Sequence, residues 1–307
     1  MTERMEERSY PGARRPDRRR TVDSFGVGLS VVEWGDSDGP PILLAHGGFD
    51  FAGTYDLLAP RLADAGWRVV SWDQRGHGDS DHAVLYTWDA DIRDSLRVLE
   101  STCDGPVPFV GHSKGGGMMM TLAEARPDRR SAIVNLDGLP TKRTQPDVAD
   151  HDRTRMLAED LSDWLDHRRR IAELERKPGT IEELAARRAR MNPRLDTGWL
   201  EYLVTVGARR DIDGWRWKLD PAMRFGGFGP WRPEWALHRM RGLAVPFLGV
   251  LGLVYEEMGW GTVPEDLAGY LPVGGRLVTL EDTGHFVHIE RTDVVAGHIT
   301  DFLGGST

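Results

Sequence analysis

The 307-residue chain has a single cysteine, Cys103, and no apolar run of the roughly 18 residues that a membrane-spanning helix needs. Without such an apolar run we expect no membrane partner. A single cysteine cannot close an internal disulfide, which is typical of proteins from a reducing compartment, so we expect a cytoplasmic location. The neighbours of Cys103 in sequence do not mark it as a nucleophile. We therefore expect it to be a structural thiol in the core.

The chain also has fewer basic than acidic residues: it contains 39 Lys and Arg and 48 Asp and Glu, which gives a net charge of −9. Binding nucleic-acid phosphates needs a surplus of Lys and Arg on one face, so the charge balance argues against a nucleic-acid partner. Seven arginines are nevertheless concentrated in residues 1–20. Because no apolar segment follows them, they do not form a signal peptide, and we expect residues 1–20 to be a flexible charged arm.

A Gly-His-Ser-Lys-Gly motif at residues 111–115 is the strongest functional signal in the sequence. The apolar run 107–110 precedes it, and a stretch with helical character, 118–126, follows it. The order strand, tight turn, helix exposes the hydroxyl of Ser113 at the top of a sheet, where it can act as a nucleophile. A serine that merely caps the helix is the alternative. A phosphate-binding loop fits poorly, since the order Gly-Lys-Ser/Thr is missing.

The remaining sequence alternates between short apolar runs and amphipathic segments. Strands are predicted at 27–34, 41–45, 67–72, 107–110, 131–136, 245–251 and 276–280, and helices at 55–65, 88–100 and 293–303. Such alternation is typical of a mostly parallel sheet that is covered by helices on both faces. We assign residues 21–140 and 241–307 to this core.

Between residues 141 and 240 the composition changes. Arginine-rich helical patterns cover 148–176 and 181–191, and six of the eleven tryptophans lie in this region, namely Trp164, Trp199, Trp215, Trp217, Trp231 and Trp235. We predict a helical cap over the sheet. Tryptophan is well suited to line an apolar pocket, although for any single tryptophan packing between cap and core is the simpler interpretation.

Four motifs then appear in a fixed order: His-Gly-Gly-Phe at 46–49, Asp-Gln-Arg-Gly-His-Gly-Asp-Ser at 73–80, the serine motif at 111–115, and Gly-His at 284–285. With this order and spacing the chain resembles the α/β-hydrolase superfamily. The resemblance implies an α/β fold with a mostly parallel eight-stranded sheet, Ser113 as nucleophile, His285 as base, and a reaction that needs no metal and no cofactor. The spacing of His, Cys and Asp residues likewise lacks a metal-ligand pattern.

The acid that would orient the histidine is less clear. Similar hydrolases carry an aspartate three or four residues past a glycine that ends the strand after the cap, and here Glu256 is the fourth residue after Gly252. A glutamate can orient an imidazole as well as an aspartate can. Asp137, which follows the strand after the nucleophile helix, is the alternative, although aspartate is also common in turns. We prefer Glu256 as the acid.

The expected oxyanion donors are the backbone amides of Lys114 and Gly48, with Phe49 next in line. The Lys114 side chain departs from the small or apolar residue that is usual there, and it either pairs with a carboxylate or tunes the site by its charge. Three further histidines, His46, His77 and His112, are expected to hold loops through hydrogen bonds. The 73–80 loop is expected to brace the mouth of the site, and His288 is a candidate pocket residue.

These features predict a serine hydrolase that forms an acyl-enzyme with a small-molecule ester or lactone containing an apolar portion. Cleavage of a carbon–carbon bond, a thioester or an amide on the same triad is an alternative, as is a tailoring step in secondary metabolism. A ligand receptor that keeps the fold without turnover is a further alternative. The serine argues against epoxide hydrolase and haloalkane dehalogenase chemistry, because those relatives use an aspartate nucleophile. The oligomeric state is left open.

Overall fold

The computed structural model describes residues 8–141, 150–171, 174–223 and 233–304. Its strands, in chain order, are β1 (Arg18–Asp23), β2 (Gly28–Trp34), β3 (Pro41–Ala45), β4 (Arg68–Trp72), β5 (Val107–His112), β6 (Arg130–Leu136), β7 (Ala208–Asp211), β8 (Gly214–Trp217), β9 (Phe247–Gly252) and β10 (Arg276–Leu280). Eight of them form one sheet in the order β1-β2-β4-β3-β5-β6-β9-β10, in which only the β1–β2 and β2–β4 pairings are antiparallel. The predicted mostly parallel eight-stranded sheet is confirmed.

The described residues form ten α-helices. They are α1 (Leu58–Asp64), α2 (Trp88–Thr102), α3 (Lys114–Ala125), α4 (Asp150–Ile171), α5 (Ile181–Ala189), α6 (Thr197–Gly207), α7 (Pro233–Arg241), α8 (Pro264–Leu267), α9 (Val287–Glu290) and α10 (Thr292–Gly304), with a 3₁₀ turn at Ala52–Tyr55. Of these helices, α2 and α3 pack on one face of this sheet and α1 and α10 on the other. Along β3, Leu43 packs on the side of α2 and α3, whereas Leu44 packs on the side of α1 and α10. Both leucines are fully buried, so this strand is apolar at successive positions, as a strand covered on two faces must be.

The N-terminal segment differs from the expected free arm. Strand β1 begins at Arg18, inside the segment expected to be free, and pairs along its whole length with β2. The buried carboxylate of Glu33 lies 3.4 Å from Arg18 and 3.3 Å from Arg20, so the arginines neutralise a charge that β2 carries into the sheet. Nearer the N-terminus, the ring of Tyr10 contacts the ring of Trp199 in the cap, with 5.3 Å between the two ring centres. Residues 8–20 therefore belong to the folded body.

In the predicted cap, α4 and α5 lie on the two arginine-rich stretches where helices were predicted. Helices α6 and α7 and the antiparallel hairpin β7–β8 were not predicted. Trp199 and Trp215 lie in an apolar cluster that joins cap residues such as Leu203 to Phe51 and Phe286 of the sheet core. Packing between cap and core, the simpler interpretation of a single tryptophan, thus explains both of them. The predictions for Trp231 and for the side chain of Trp235 fall outside the described residues. No helix in the described part of the chain has the length and apolar character to cross a membrane.

Candidate active site

Ser113 lies on a sharp turn between β5 and α3. Its backbone has φ 51° and ψ −122°, which is the left-handed region that an L-residue avoids unless its surroundings enforce it. A side chain on Gly111 would collide with the backbone of Gly115, and one on Gly115 would collide with the carbonyl of Ala45. The two glycines therefore allow the tight approach of turn and sheet. The Ser113 side chain makes no capping hydrogen bond to α3, so the helix-cap alternative is not realised.

The imidazole of His285 contacts Asp137. Its Nδ1 lies 2.6 Å from Oδ2 of Asp137, and both side chains are buried. The other carboxylate oxygen of Asp137 accepts a hydrogen bond of 2.9 Å from the amide of Gly252, which fixes the carboxylate plane. The ring Nε2 of His112, the residue before the serine, lies 2.9 Å from the carbonyl oxygen of His285. The histidine loop is thus tied directly to the nucleophile turn.

Glu256 occupies a different position from the one preferred in the sequence analysis. Its Oε2 accepts a hydrogen bond of 2.6 Å from the backbone amide of His285, not from the ring. The segment after β9 runs beneath the histidine loop, where the amide of Val254 donates to the carbonyl of Thr283, and this path aims the carboxylate at main chain. Burial raises the pKa of Glu256. The preference for Glu256 as the acid on the imidazole is therefore corrected in favour of Asp137.

Two of the three candidate oxyanion donors, the amides of Gly48 and Lys114, lie on segments that contact each other. A Cβ placed on Gly48 would lie 3.8 Å from Cδ of Lys114, so the two segments that carry these amides are in contact. The Phe49 amide, by contrast, donates to Nε2 of His77 at 3.3 Å. Phe49 is thus removed from the candidate donors, and its positive φ of 62° turns the chain away after Gly48.

The side chain of Lys114 pairs with carboxylate and amide groups behind the turn. Its Nζ lies 2.7 Å from Oδ2 of Asp91 and donates to Oε1 of Gln74 at 2.9 Å. Of the two roles weighed for this lysine, pairing with a carboxylate is the one that the structure contains. The backbone amide of Lys114 remains the group with an expected role in the reaction.

The 73–80 loop braces the site, as expected. Asp73 accepts hydrogen bonds from the amides of Ala52 and Asp79, at 2.7 and 2.8 Å. His46 accepts from the amide of Gln74 at 2.9 Å, and its other ring nitrogen lies 2.7 Å from the carbonyl of Gly47. Burial lowers the pKa of His46 to about 3, so the ring is neutral and can make both contacts. The loop is in this way tied to the segment that carries Gly48.

His288 lies beneath the site and does not line it. The side chain is fully buried, with its ring 4.4 Å from that of His112 and 5.1 Å from that of Tyr55. Neither ring nitrogen has a hydrogen-bond partner among the described residues. Burial lowers the pKa of His288 to about 3. Cys103 is also buried, its pKa is raised by burial, and it lies in the core as expected.

A cavity of about 440 Å³ lies between the cap and the segment 82–84. Its wall combines apolar side chains with arginines, including Ile171, Leu174, Trp217, Leu219, Arg168 and Arg176. Trp217 also lies beneath the guanidinium of Arg188, 5.5 Å from the ring centre. Within the described ranges, no group of three or more His, Cys, Asp or Glu side chains is arranged to hold a metal ion.

Sequence reasoning missed the polar contacts that join the cap to the site loops. Asp50, directly after the 46–49 motif, is buried and forms an ion pair with Arg188 of the cap. Glu290 pairs with Arg194. The position of Asp50 beside a motif was the one signal available, because the arginines lie far away in sequence.

The chain is similar to known proteins over most of its length. The sequence model of the alpha/beta hydrolase family matches residues 42–298. Lipase LipV of Mycobacterium tuberculosis (strain ATCC 25618 / H37Rv) is 33% identical over 201 residues, which are 64% of this chain and 69% of that protein. A serine hydrolase-like protein of Danio rerio is 29% identical over 93% of this chain and 89% of its own length. Among solved structures, a hypothetical protein of Pseudomonas aeruginosa PAO1 has a TM-score of 0.77 and 26% identity over 93% of this chain and 99% of that one.

Proposed function

Because the chain belongs to the alpha/beta hydrolase family, we propose that it is a serine hydrolase whose triad is Ser113, His285 and Asp137. The observation that carries the proposal is the contact of 2.6 Å between Nδ1 of His285 and the buried carboxylate of Asp137. This contact sets the tautomer of the imidazole, because a carboxylate accepts the Nδ1 proton and leaves Nε2 free to act as the base.

In the proposed reaction the Ser113 hydroxyl attacks the carbonyl carbon of the substrate while its proton passes to Nε2 of His285. The charge that develops on the carbonyl oxygen is stabilised by the amides of Gly48 and Lys114. When the tetrahedral intermediate collapses, His285 returns the proton to the leaving oxygen and Ser113 is acylated. Water then attacks the acyl-enzyme by the same route, which releases the acid and restores the serine.

The proposed substrate is a small ester or lactone with an apolar portion. The support comes from the tryptophans of the cap and from the cavity beside Trp217, where Ile171, Leu174 and Leu219 provide apolar wall between charged side chains. Neither Ser113 nor His285 is among the residues that line this cavity, so the proposal places only the apolar portion of the substrate there. Burial of each methylene group in such a wall contributes about 0.8 kcal/mol. Thioesters, amides and carbon–carbon bonds are alternative substrates for the same triad, and assays with each of them separate these reactions from ester hydrolysis.

We also propose a cytoplasmic location. The lone cysteine is buried and cannot form an internal disulfide, which suits a reducing compartment. Localisation of a tagged full-length chain by cell fractionation tests this point, and recovery from the secreted fraction would contradict it.

The experiment that tests the proposed function is hydrolysis of p-nitrophenyl esters from acetate to decanoate by the wild type, Ser113→Ala and His285→Ala. We expect wild-type turnover, with losses in kcat of about 10³-fold or more in each variant. The proposal fails if Ser113→Ala hydrolyses any ester of the series as fast as the wild type does.

A further inference from the structure

Two arginines of the cap, Arg188 and Arg194, contact carboxylates that lie beside two different loops of the proposed active site: Asp50, after the 46–49 motif, and Glu290, at the end of α9. Arg188 forms an ion pair with Asp50, and the two side chains are only 11% and 4% exposed. Arg194 places Nε 2.8 Å from Oε2 of Glu290. Arg188 lies near the end of α5 and Arg194 lies shortly after it. One short segment of the cap therefore contacts both sides of the proposed site.

The first contact acts on the loop that carries the proposed oxyanion donor. Asp50 lies two residues after Gly48, and its carboxylate folds back over the chain, so that a Cβ placed on Gly47 would lie 3.1 Å from its Oδ2. Arg188 is itself supported from the cap side by the ring of Trp217. The residue before Gly48 therefore packs against a carboxylate whose charge is neutralised by a cap residue.

The second contact acts on the loop that carries the base. The carboxylate of Glu290 accepts a hydrogen bond of 3.0 Å from the amide of Gly284, the residue before His285. Arg194 also donates to the carbonyl of Asp282 at 2.7 Å. This arginine thus holds both the carboxylate and the main chain that approach the histidine. Its side chain is about one-third exposed, so solvent weakens this contact more than the Arg188 contact.

We propose that Arg188 and Arg194 are positioning residues through which the docked cap sets the distance between the Gly48 amide and the His285 imidazole. The inference rests on the proposed serine hydrolase function. Its physical basis is that misplacing a reacting group by about 1 Å can cost about 100-fold in rate, even when the misplaced group is moved by a distant change. Arg188 carries the larger share because its ion pair is the more buried one.

The test compares Arg188→Gln and Arg194→Gln with Arg187→Gln. Arg187 lies next to Arg188 on α5, but its guanidinium donates to the carbonyls of Lys177 and Pro178 inside the cap, so it is a matched control. The readouts are kcat and KM for p-nitrophenyl butyrate, the inhibition constant of an alkyl trifluoromethyl ketone that mimics the oxyanion, and the melting temperature.

For Arg188→Gln we expect kcat to fall by about 10- to 100-fold, KM to stay within about twofold, and the ketone to bind more weakly by the same factor as kcat/KM falls. For Arg194→Gln we expect a smaller loss of about 3- to 10-fold. Arg187→Gln should match the wild type. A double variant, Asp50→Asn with Arg188→Gln, removes both members of the ion pair and so leaves neither charge unpaired, and it should fold while keeping the loss in kcat.

The inference is overturned if Arg188→Gln and the double variant keep the kcat and the ketone affinity of Arg187→Gln. It is also overturned if the losses follow only the melting temperature. Wild-type turnover that disappears in Ser113→Ala, together with unchanged Arg188 variants, would reject this inference and leave the serine hydrolase proposal intact. A wild type no faster than Ser113→Ala would reject both.

Discussion

His285 contacts Asp137 across 148 residues of sequence, with 2.6 Å between Nδ1 and the carboxylate. Asp137 directly follows β6, and His285 follows β10, so both residues project from the carboxyl ends of parallel strands. Ser113 follows β5, the neighbour of β6 in the sheet. Parallel sheets gather such residues at one edge, which is where their ligands bind.

The two candidate acids should respond differently to loss of charge. Asp137→Asn should lower kcat by about 10³- to 10⁴-fold, because an amide stabilises neither the required tautomer nor the imidazolium. Glu256→Gln should cost about tenfold or less, since the glutamine oxygen can still accept from the amide of His285. Measurement of kcat for p-nitrophenyl butyrate checks both variants. A larger loss in Glu256→Gln than in Asp137→Asn would contradict the assignment.

The Lys114 side chain is predicted to matter for stability more than for turnover. Lys114→Met removes the ammonium that lies 2.7 Å from the buried Asp91, so the free energy of unfolding should fall by about 2 kcal/mol or more. The backbone amide is kept, and kcat should fall less than about tenfold. Urea unfolding at pH 7 measures the first effect. Adding Asp91→Asn should recover most of the lost stability, and failure to do so would reject the ion-pair explanation.

Low pH should destabilise the folded protein because His288 is buried in its neutral form. Burial lowers the pKa of His288 in the folded state to about 3, whereas the unfolded chain titrates near 6.5. Between these pH values the unfolded state binds the extra proton, so stability falls as pH drops below about 6.5. At pH 5 this linkage amounts to about 2 kcal/mol. His288→Phe, which also removes two unpaired ring nitrogens, should therefore lose about 2 kcal/mol less than the wild type between pH 8 and pH 5.

Urea unfolding at both pH values measures that difference directly. Using the difference between variant and wild type also removes the contribution of other buried groups. Asp56 is one of them, because burial raises its pKa to about 7 and its linkage has the opposite sign. His298→Phe, on the partly exposed side of α10, is the matched control. Equal pH dependence of the His288 variant and the wild type would reject the prediction.

The cavity beside the cap should set the preference for acyl chain length. Leu174→Trp adds bulk at its wall, so KM for p-nitrophenyl decanoate should rise by about tenfold while KM for the acetate stays within twofold. Leu165→Trp is the control, because Leu165 of α4 is similarly exposed but is not among the residues that line the cavity. Equal changes for both esters, or in both variants, would place the apolar portion of the substrate elsewhere.

Apolar periodicity predicted seven strands of the sheet, and the eighth followed only from the family resemblance. The missed strand, β1, has the sequence Arg-Arg-Arg-Thr-Val-Asp, which lacks alternating apolar residues. Its place depends on backbone hydrogen bonds to β2 and on the buried charge of Glu33, neither of which has a local signature. The β7–β8 hairpin was missed for a similar reason, since Arg209, Arg210 and Asp211 mask the strand pattern.

The serine and histidine motifs have local sequence patterns, such as the glycines around Ser113, and can be recognised in the sequence. The carboxylate that contacts His285 has no such local pattern. Glu256 has suitable spacing from Gly252, but spacing along a loop does not determine whether a carboxylate faces a ring or a backbone amide. The pairing of Asp50 with Arg188 spans 138 residues and depends on how the cap docks, which no local pattern encodes.

The most direct test of the account is the reaction of the full chain with a fluorophosphonate probe, followed by peptide mass spectrometry. We predict a single adduct on Ser113 that is absent in Ser113→Ala, and labelling that is slower by about 10³-fold or more in both His285→Ala and Asp137→Asn. An unlabelled wild type, or the same labelling in Ser113→Ala, would contradict the claim that Ser113 is the nucleophile.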